Sequence, residues 1–386
     1  MKSSRKICVV VTARPSYSRI KTVLDAIKQH SNLELQLVVA ASALLDRYGS
    51  AVNVIEKDGF HISARVYNVL EGDNHATSAK TTGIGIIELS SVFGNLKPDI
   101  IVTVADRYET MATAIAASYM NIPLAHIQGG EVTGNIDEKV RHAITKLADY
   151  HFVASNDAYL RVINLGEETH RVFNTGCPSI DIAEELREDP SFQENPILKY
   201  GGVGGKLDVD EDYIVVLQHP VTDEFDESRR HIEETLKAID KLEIPTFWFW
   251  PNVDAGSDGI SKGIRSYREK NKISHIHFFK NMEPTDFLKL LVNSRCLIGN
   301  SSVGIRECSY LGVPVVNIGS RQNRRERGPN VIDVVYSEDK ITKAVVTWLN
   351  AERPKSSNTY GVGKAGPIIA EILSEVELSI SKTITF

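Results

Sequence analysis

The sequence predicts an α/β protein with two domains, each built on a parallel sheet. The chain has 386 residues, of which 42% are hydrophobic and 24% charged, which is enough for two cores at roughly 150 residues per domain. Short runs rich in Val and Ile alternate with amphipathic segments through most of the chain, and this alternation is typical of parallel sheets covered by helices on both faces. It also comes in two series, separated at residues 183–211 by a charged stretch that contains Pro and Gly.

The first series predicts an N-terminal domain, residues 1–178. Apolar runs predict strands at residues 7–11, 35–40, 100–105, 124–127 and 151–154. Helices are expected between them, one over residues 109–119 and one that places Val140, Ile144 and Leu147 on a single face.

The second series predicts a C-terminal domain, residues 179–366. Its strands are expected at residues 213–217, 246–250, 276–279, 296–299, 313–318 and 331–335, with helices at 229–242 and 286–293. The stretch between the two series ends in a Gly-rich run at residues 200–206, which lacks the spacing of a phosphate-binding loop and is followed by several acids. We expect this run to be a flexible surface loop at the domain junction.

Composition and charge exclude several classes of protein. The net charge of −6 argues against nucleic acid or an anionic membrane as a main partner, because both need a basic face. The apolar run after the basic N-terminus is too short for a signal peptide, and no run reaches transmembrane length. The four cysteines are far apart, so neither disulfides nor a zinc site is indicated, and the reducing cytoplasm is the expected location.

Polar residues follow the predicted strands where ligands usually bind. An apolar run ends at Ile127 and gives way to glycines, acids and amides, including Gln128, Glu131 and Asp137, before a helix begins. Asp106 directly follows the predicted strand at 100–105. The carboxyl ends of strands in open α/β sheets are the usual ligand site, although Asp106 and Asp137 could instead cap helices.

Two further segments predict an anion site. Ser301 and Ser302 stand between a predicted strand and a helix expected near Val303, so hydroxyls and free amides would point at one spot. Capping of that helix is the alternative. Arg14 and Ser18 open a helix after the first strand, but a lone arginine there is often solvated or in a salt bridge.

These segments together resemble the hydrolysing UDP-N-acetylglucosamine 2-epimerases of sialic-acid pathways. The similarity rests on the polar stretch 126–142 and on three shorter motifs, Asp-Arg-Tyr-Glu at 106–109, Gln-His-Pro-Val at 218–221 and Gly-Asn-Ser-Ser at 299–302, and it runs from about Arg14 to Gly366. It implies two Rossmann-like domains with a central cleft, the glycosyltransferase-B arrangement, with the last helix (residues 367–386) packing back on the first domain. It also implies a homodimer or homotetramer that needs no cofactor.

The resemblance also implies a reaction and a set of residues. UDP leaves C1 of the sugar while a base removes the C2 proton, and water then adds to the glycal with C2 inverted. Asp106 and Asp137 correspond to catalytic carboxylates, and His219, held by Pro220 in an extended backbone, would reach the glycosidic oxygen or phosphate. The corresponding contacts to UDP are Arg14, Ser18, Asn252, Ser301, Ser302, Glu307 on the ribose, and Arg321. The nearby Arg324, Arg325 and Arg327 are expected to lie outside the site.

Gln128 departs from the family pattern. Relatives carry a catalytic Glu at this position, and Gln cannot take up a proton near neutral pH. Either another group, such as Glu131, serves as the base, or the chain belongs to a branch that acts on a modified sugar.

The predicted function is therefore a hydrolysing UDP-N-acetylglucosamine 2-epimerase that gives UDP and N-acetylmannosamine for sialic acid synthesis. The first alternative is a 2-epimerase for UDP-2,4-diacetamido-2,4,6-trideoxyglucose, as in legionaminic acid synthesis. A non-catalytic UDP-sugar sensor and a glycosyltransferase of the same architecture are further alternatives, because a fold does not fix a function.

Overall fold

The structure is a computed structural model that describes residues 4–46, 50–70, 75–133, 136–251, 257–271 and 273–386. It divides into two compact units. The first unit is formed by Met1–Val132, Ile136–Ile182 and Tyr360–Phe386, and the second by Ala183–Thr359. No helix in the described ranges is long and apolar enough to cross a membrane.

The first unit is built on a parallel sheet with helices on both faces. Among the described residues the strand order is β3-β2-β1-β4-β5-β6-β7. The strands are β1 (Arg5–Val11), β2 (Leu33–Ala40), β3 (Ile62–Val66), β4 (Ile100–Val104), β5 (Leu124–Ile127), β6 (Tyr150–Val153) and β7 (Val172–Asn174). The helices are α1 (Arg14–Gln29), α2 (Ala51–Lys57), α3 (His75–Leu96), α4 (Tyr108–Tyr119), α5 (Ile136–Leu147), α6 (Asn156–Asn164), α7 (Pro178–Glu185) and, near the end of the chain, α15 (Ala365–Glu375).

The apolar runs become strands because both faces of this sheet are covered. Ile7, Val9 and Val11 of β1 face a core shared with α1 and α15. Cys8 and Val10, the alternate residues, face a second core shared with α3, α4 and α5. Side chains of a strand alternate between faces, so a strand buried on both sides needs an unbroken apolar run.

The second unit repeats this architecture. Its strand order in the described part of the chain is β14-β13-β12-β9-β10-β11-β8, parallel except for β8. The strands are β8 (Val203–Gly204), β9 (Ile214–Leu217), β10 (Thr246–Phe249), β11 (Ile276–Phe279), β12 (Cys296–Gly299), β13 (Val315–Ile318) and β14 (Val331–Val334). The helices are α8 (Pro196–Tyr200), α9 (Ser228–Leu242), α10 (Ser257–Lys270), α11 (Pro284–Asn293), α12 (Ser302–Ile305), α13 (Glu307–Leu311) and α14 (Glu338–Leu349).

The sequence predicted a surface loop at the Gly-rich run, but part of this run forms a strand. Val203 and Gly204 pair with β11 in antiparallel orientation as an edge strand. A Cβ atom at Gly204 would lie 2.2 Å from the backbone oxygen of Ile276, and one at Gly202 would lie 2.4 Å from His277 Nε2. Glycine is therefore needed here for close approach of two backbones, a cause that the sequence pattern did not reveal.

Candidate active site

In each sheet the strand order changes direction between two central strands, and several of the predicted site residues follow these strands. In the first unit β1 and β4 are neighbours, and Arg14 follows β1 while Asp106 follows β4. In the second unit β9 and β12 are neighbours, and His219 follows β9 while Ser301 follows β12. Loops at such reversals form the usual ligand site of open α/β sheets.

Arg14 and Ser18 lie in the first two turns of α1 and are half-buried. The Ser18 hydroxyl donates to the backbone oxygen of Arg14 at 3.4 Å. Both side chains thus belong to the carboxyl edge of β1, and their contact with a diphosphate stays a prediction.

Asp106, Glu131 and Asp137 lie around one buried arginine, Arg141 on α5. The Arg141 guanidinium pairs with the Asp106 carboxylate and donates to the backbone oxygen of Glu131 at 2.7 Å. The Arg141 side chain is 1% exposed and that of Asp106 14%. Burial by itself lowers the pKa of Arg141, but the charges of Asp106, Glu131 and Asp137 raise it above its usual value. The structure therefore brings the three predicted carboxylates to one cation, which the sequence analysis did not single out.

The alternative that these acids only cap helices is not supported by the helix ends. Helix α4 begins at Tyr108, its N-cap residue is Arg107 and not Asp106, and the Arg107 side chain makes no capping hydrogen bond. Asp137 lies inside the first turn of α5. Asp106 instead follows Ala105, whose φ of 64° places the chain in a left-handed conformation. The left-handed conformation is uncommon for alanine. At Ala105 it turns the chain after β4 toward Arg141.

Gln128 is buried at the end of β5 and contacts Cys177. Its backbone is left-handed, with φ of 65°, and its side chain is 2% exposed. Nε2 donates to Cys177 Sγ at 2.9 Å, while Oε1 has no hydrogen-bond partner among the described residues. A Cβ atom at Gly130 would lie 2.4 Å from the backbone oxygen of Ala158. The absence of a side chain at Gly130 therefore allows the chain to turn toward Glu131.

His126 fixes the backbone next to Asp106. Burial lowers the pKa of His126 to about 3, so the ring is neutral near neutral pH. Nε2 lies 2.8 Å from the backbone oxygen of Ala105 and must donate to it, because a carbonyl only accepts. Nδ1 is then an acceptor for the Thr145 hydroxyl at 3.2 Å. This histidine therefore supports the backbone that precedes Asp106.

Asn300 organises the strand ends of the second unit. Its Oδ1 accepts from the backbone N–H of His219 at 2.7 Å, and its Nδ2 donates to the backbone oxygen of His219 at 2.8 Å. The backbone oxygen of Asn300 accepts from Gln322 at 2.9 Å and from Arg321 at 3.3 Å. Asn300 is fully buried and was absent from the predicted site set, although it stands within the quoted Gly-Asn-Ser-Ser motif.

The sequence suggested that Ser301 and Ser302 precede one continuous helix, but the structure has two short helices there. Helices α12 and α13 are short and are separated at Arg306, which has φ of −101° and ψ of −76°. Ser301 caps α12, and the Ser302 hydroxyl accepts from Arg306 at 2.8 Å. Glu307 Oε2 has no hydrogen-bond partner among the described atoms and lies 4.0 Å from Arg306 Nε. A buried guanidinium, and not a long helix, supplies positive charge next to these hydroxyls.

The remaining predicted residues have mixed outcomes. Arg321, Arg325 and Arg327 are half-buried and Arg324 is exposed. Arg327 pairs with Asp333 at 3.1 Å. The expectation that Arg321 lies in the nucleotide site and the other three outside it stays a prediction. Asn252 falls outside the described residues. Within the described ranges, no three His, Cys, Asp or Glu side chains are grouped to hold a metal ion.

Two Rossmann-like units, each with polar side chains at the reversal of its strand order, define a two-domain α/β protein with ligand sites at strand ends. The chain belongs to the UDP-N-acetylglucosamine 2-epimerase family, whose family model matches residues 25–374. This membership confirms the family predicted from the motifs, and it identifies the chain as a member of an enzyme family.

Two relatives and one solved structure show the extent of the similarity. The UDP-N,N'-diacetylbacillosamine 2-epimerase (hydrolyzing) of Legionella pneumophila is 34% identical over 376 residues, which cover 97% of either chain. The GDP/UDP-N,N'-diacetylbacillosamine 2-epimerase (hydrolyzing) of Campylobacter jejuni is 32% identical over 86% of this chain and 84% of its own. The UDP-GlcNAc 2-epimerase of Methanocaldococcus jannaschii, solved with UDP-GlcNAc and UDP, has a TM-score of 0.79 at 20% identity and covers 96% of this chain and 99% of its own. This last similarity confirms the predicted fold.

Proposed function

We propose that the chain is a hydrolysing 2-epimerase that acts on UDP-2,4-diacetamido-2,4,6-trideoxyglucose, which is UDP-N,N'-diacetylbacillosamine. The observation that carries the chemistry is the group of Asp106, Glu131 and Asp137 around the buried Arg141. Epimerisation at C2 needs one group that removes a proton and another that returns it, and positioned carboxylates supply such groups.

The reaction balances without a redox partner. A carboxylate removes the C2 proton, the C1–O bond breaks with its electron pair going to UDP, and a double bond forms between C1 and C2. Water then adds its hydroxyl to C1, and a proton is delivered to the opposite face of C2. The products are UDP and 2,4-diacetamido-2,4,6-trideoxymannose.

In this proposal the carboxylates of the first unit transfer protons. Asp106 and Asp137 are the principal groups, and Glu131 is the third because Gln128 cannot exchange a proton near neutral pH. We assign UDP binding to Arg14 and Ser18 in the first unit and to His219, Asn252, Ser301, Ser302, Glu307 and Arg321 in the second. In the second unit, the buried Asn300 supports this set by holding the backbone of His219 on both sides.

The relatives favour the modified sugar over UDP-N-acetylglucosamine. Two relatives, at 34% and 32% identity, are named for diacetylbacillosamine. A third, from Escherichia coli and 33% identical over 88% of this chain, is named Polysialic acid biosynthesis protein P7. The family description names UDP-N-acetylglucosamine, which makes that sugar the second candidate. Gln128 agrees with the first choice, because an amide in place of an acid distinguishes this chain from the pattern expected for the second.

Proton NMR on the purified protein tests the proposal. The protein is incubated in D₂O with each of the two UDP-sugars, and free UDP and the 2-epimeric sugar are followed. We expect release of UDP from the diacetamido sugar, with deuterium at C2 of the product and at least tenfold higher kcat/KM than with UDP-N-acetylglucosamine. Preference for UDP-N-acetylglucosamine would restore the first candidate substrate, and UDP binding without turnover of either sugar would indicate a sensor. Location in the cytoplasm and a homodimer or homotetramer remain predictions, of which light scattering in solution tests the second.

A further inference from the structure

The segment that follows α15 is attached to the first unit at the amino ends of β1 and β6, the edge of the sheet opposite to the candidate active site. The Tyr150 hydroxyl, on β6, donates to the backbone oxygen of Glu377 at 2.5 Å and accepts from the backbone N–H of Ser379 at 2.8 Å. Arg5 donates to the backbone oxygen of Val376 at 2.9 Å. Residues 376–386 are thus fixed to the sheet, although they form neither helix nor strand.

Lys382 of this segment binds the carboxyl end of α5. Its Nζ donates to the backbone oxygens of Thr145, at 3.1 Å, and Ala148. The last carbonyls of a helix have no partner within the helix, and the end of the helix dipole favours a cation there. Lys382 therefore caps the helix that carries Asp137 and Arg141 at its other end.

A buried carboxylate holds Lys382 in place. Glu167 Oε2 lies 2.6 Å from Lys382 Nζ and 3.0 Å from His151 Nε2, and Glu167 Oε1 lies 2.6 Å from Lys146 Nζ. The side chain of Glu167 is 3% exposed and that of Lys382 20%. A lysine with this many fixed partners differs from an ordinary surface lysine, whose ion pairs are loose and screened by solvent.

The last turn of α5 is linked in turn to the carboxylates. Thr145 lies one helical turn after Arg141, and its hydroxyl binds His126, which holds the backbone oxygen of Ala105 next to Asp106. A displacement of this turn would move Arg141 and the backbone before Asp106 together.

We propose that Lys382 is a positioning residue for the carboxylate cluster, acting through α5. It holds the helix at the position where Arg141 pairs with Asp106 and interacts electrostatically with Asp137. This inference rests on the proposed function, because its effect on turnover needs a reaction that those carboxylates perform.

The test compares Lys382→Met with Lys382→Arg, which restores a cation for the same carbonyls. We expect Lys382→Met to lower kcat about tenfold to a hundredfold, since small misplacements of reacting groups cost this much. The dissociation constant for UDP should not change, because Lys382 binds the end of α5 and Glu167, and none of the assigned UDP contacts among the described residues lies on α5 or beside Glu167. Lys382→Arg should recover most of the lost rate.

Controls separate positioning from general stability. Phe386→Ala alters the same segment at an exposed ring and should leave kcat unchanged. If Lys382→Met fails to fold, Lys382→Gln, which keeps an N–H donor, replaces it. An equal fall of kcat in Phe386→Ala, or no recovery by Lys382→Arg, would overturn the proposal.

Hydrogen exchange decides the inference even without turnover. Residues 140–144 form the part of α5 that holds Arg141 in place. In Lys382→Met the backbone amide hydrogens of these residues should exchange faster than in the unmodified chain, whereas Phe386→Ala should show no such change. Faster exchange confined to the last turn of α5 would contradict the proposal. If the unmodified protein releases no UDP from either sugar, the proposed function fails, and this measurement still tests the role of Lys382.

Discussion

Arg141 interacts with three acids that are separate in the sequence, and so links them into one candidate site. Its guanidinium is buried, and it contacts the Asp106 carboxylate and the backbone of Glu131. An arginine within a polar stretch at a helix start looks solvated in a sequence, because burial depends on elements that are distant along the chain. The carboxylates themselves could be predicted, because each follows the end of an apolar strand.

The first prediction concerns these carboxylates. Asp106→Asn and Asp137→Asn should each lower kcat at least about a hundredfold, because an amide cannot exchange the proton. Asp106→Asn should also destabilise the fold by about 3–5 kcal/mol, since it leaves the buried Arg141 without its ion-pair partner. The Asp106 side chain is 14% exposed, so its ion pair with Arg141 is largely shielded from solvent. Steady-state kinetics and thermal unfolding measure the two effects separately.

Two further variants complete this comparison. Gln128 cannot accept a proton, and Glu131→Gln tests whether Glu131 accepts it instead. Near-normal turnover of this variant would show that Glu131 is structural. Glu138→Gln is the matched control, because Glu138 neighbours Asp137 on α5 but lies 3.5 Å from His142. Its kcat should stay within about twofold of the unmodified chain, as expected for a surface substitution. An equal loss in the control would remove the special role of the cluster.

At the level of elements, the strongly apolar strands could be predicted and the weak ones could not. The strand β3 was missed because it alternates apolar and polar residues, most of them half-buried at the sheet edge, and so lacks the unbroken apolar run by which the central strands could be predicted. The break at Arg306 was missed because neither Pro nor Gly stands at that residue to indicate it; its guanidinium binds the Ser302 hydroxyl, four residues earlier. Local pattern predicts elements that bury both faces, whereas edge strands and helix breaks depend on their neighbours in space.

The second prediction belongs to α12. Replacing Ser301 or Ser302 by Ala should weaken UDP binding by about 1.5–3 kcal/mol each, the usual value for a hydrogen bond to a charged group. The dissociation constant for UDP should therefore rise about tenfold to more than a hundredfold. Ser337→Ala is the control, because Ser337 precedes α14 in the same unit without capping it through its side chain. Calorimetric titration with UDP gives the result, and an unchanged constant in both serine variants would remove these hydroxyls from the UDP site.

At the level of the whole molecule, each unit uses the same plan. Parallel strands buried on both faces end in polar loops, and buried polar residues behind the loops fix their backbones. His126 does this in the first unit and Asn300 in the second. His126 has a cost to stability at low pH, because its imidazole is neutral and buried in the folded chain and can take up a proton once the chain unfolds.

The third prediction is a pH dependence of stability that comes from His126. Its pKa is lowered by burial to about 3, while an unfolded histidine has a pKa of about 6.5. Between these values only the unfolded chain binds the proton, so His126 contributes its full stability above about pH 6.5 and loses it as the pH falls toward 3. From pH 7.5 to 5 this loss is about 2 kcal/mol.

The variant His126→Asn tests this prediction. Between pH 7.5 and 5 the free energy of unfolding of its first unit should decrease by about 2 kcal/mol less than that of the unmodified chain, as measured by native-state hydrogen exchange of the β4 and β5 amides. His170→Asn, which removes an exposed imidazole, should keep the pH dependence of the unmodified chain. The same dependence in all three proteins would show that His126 is not the group responsible.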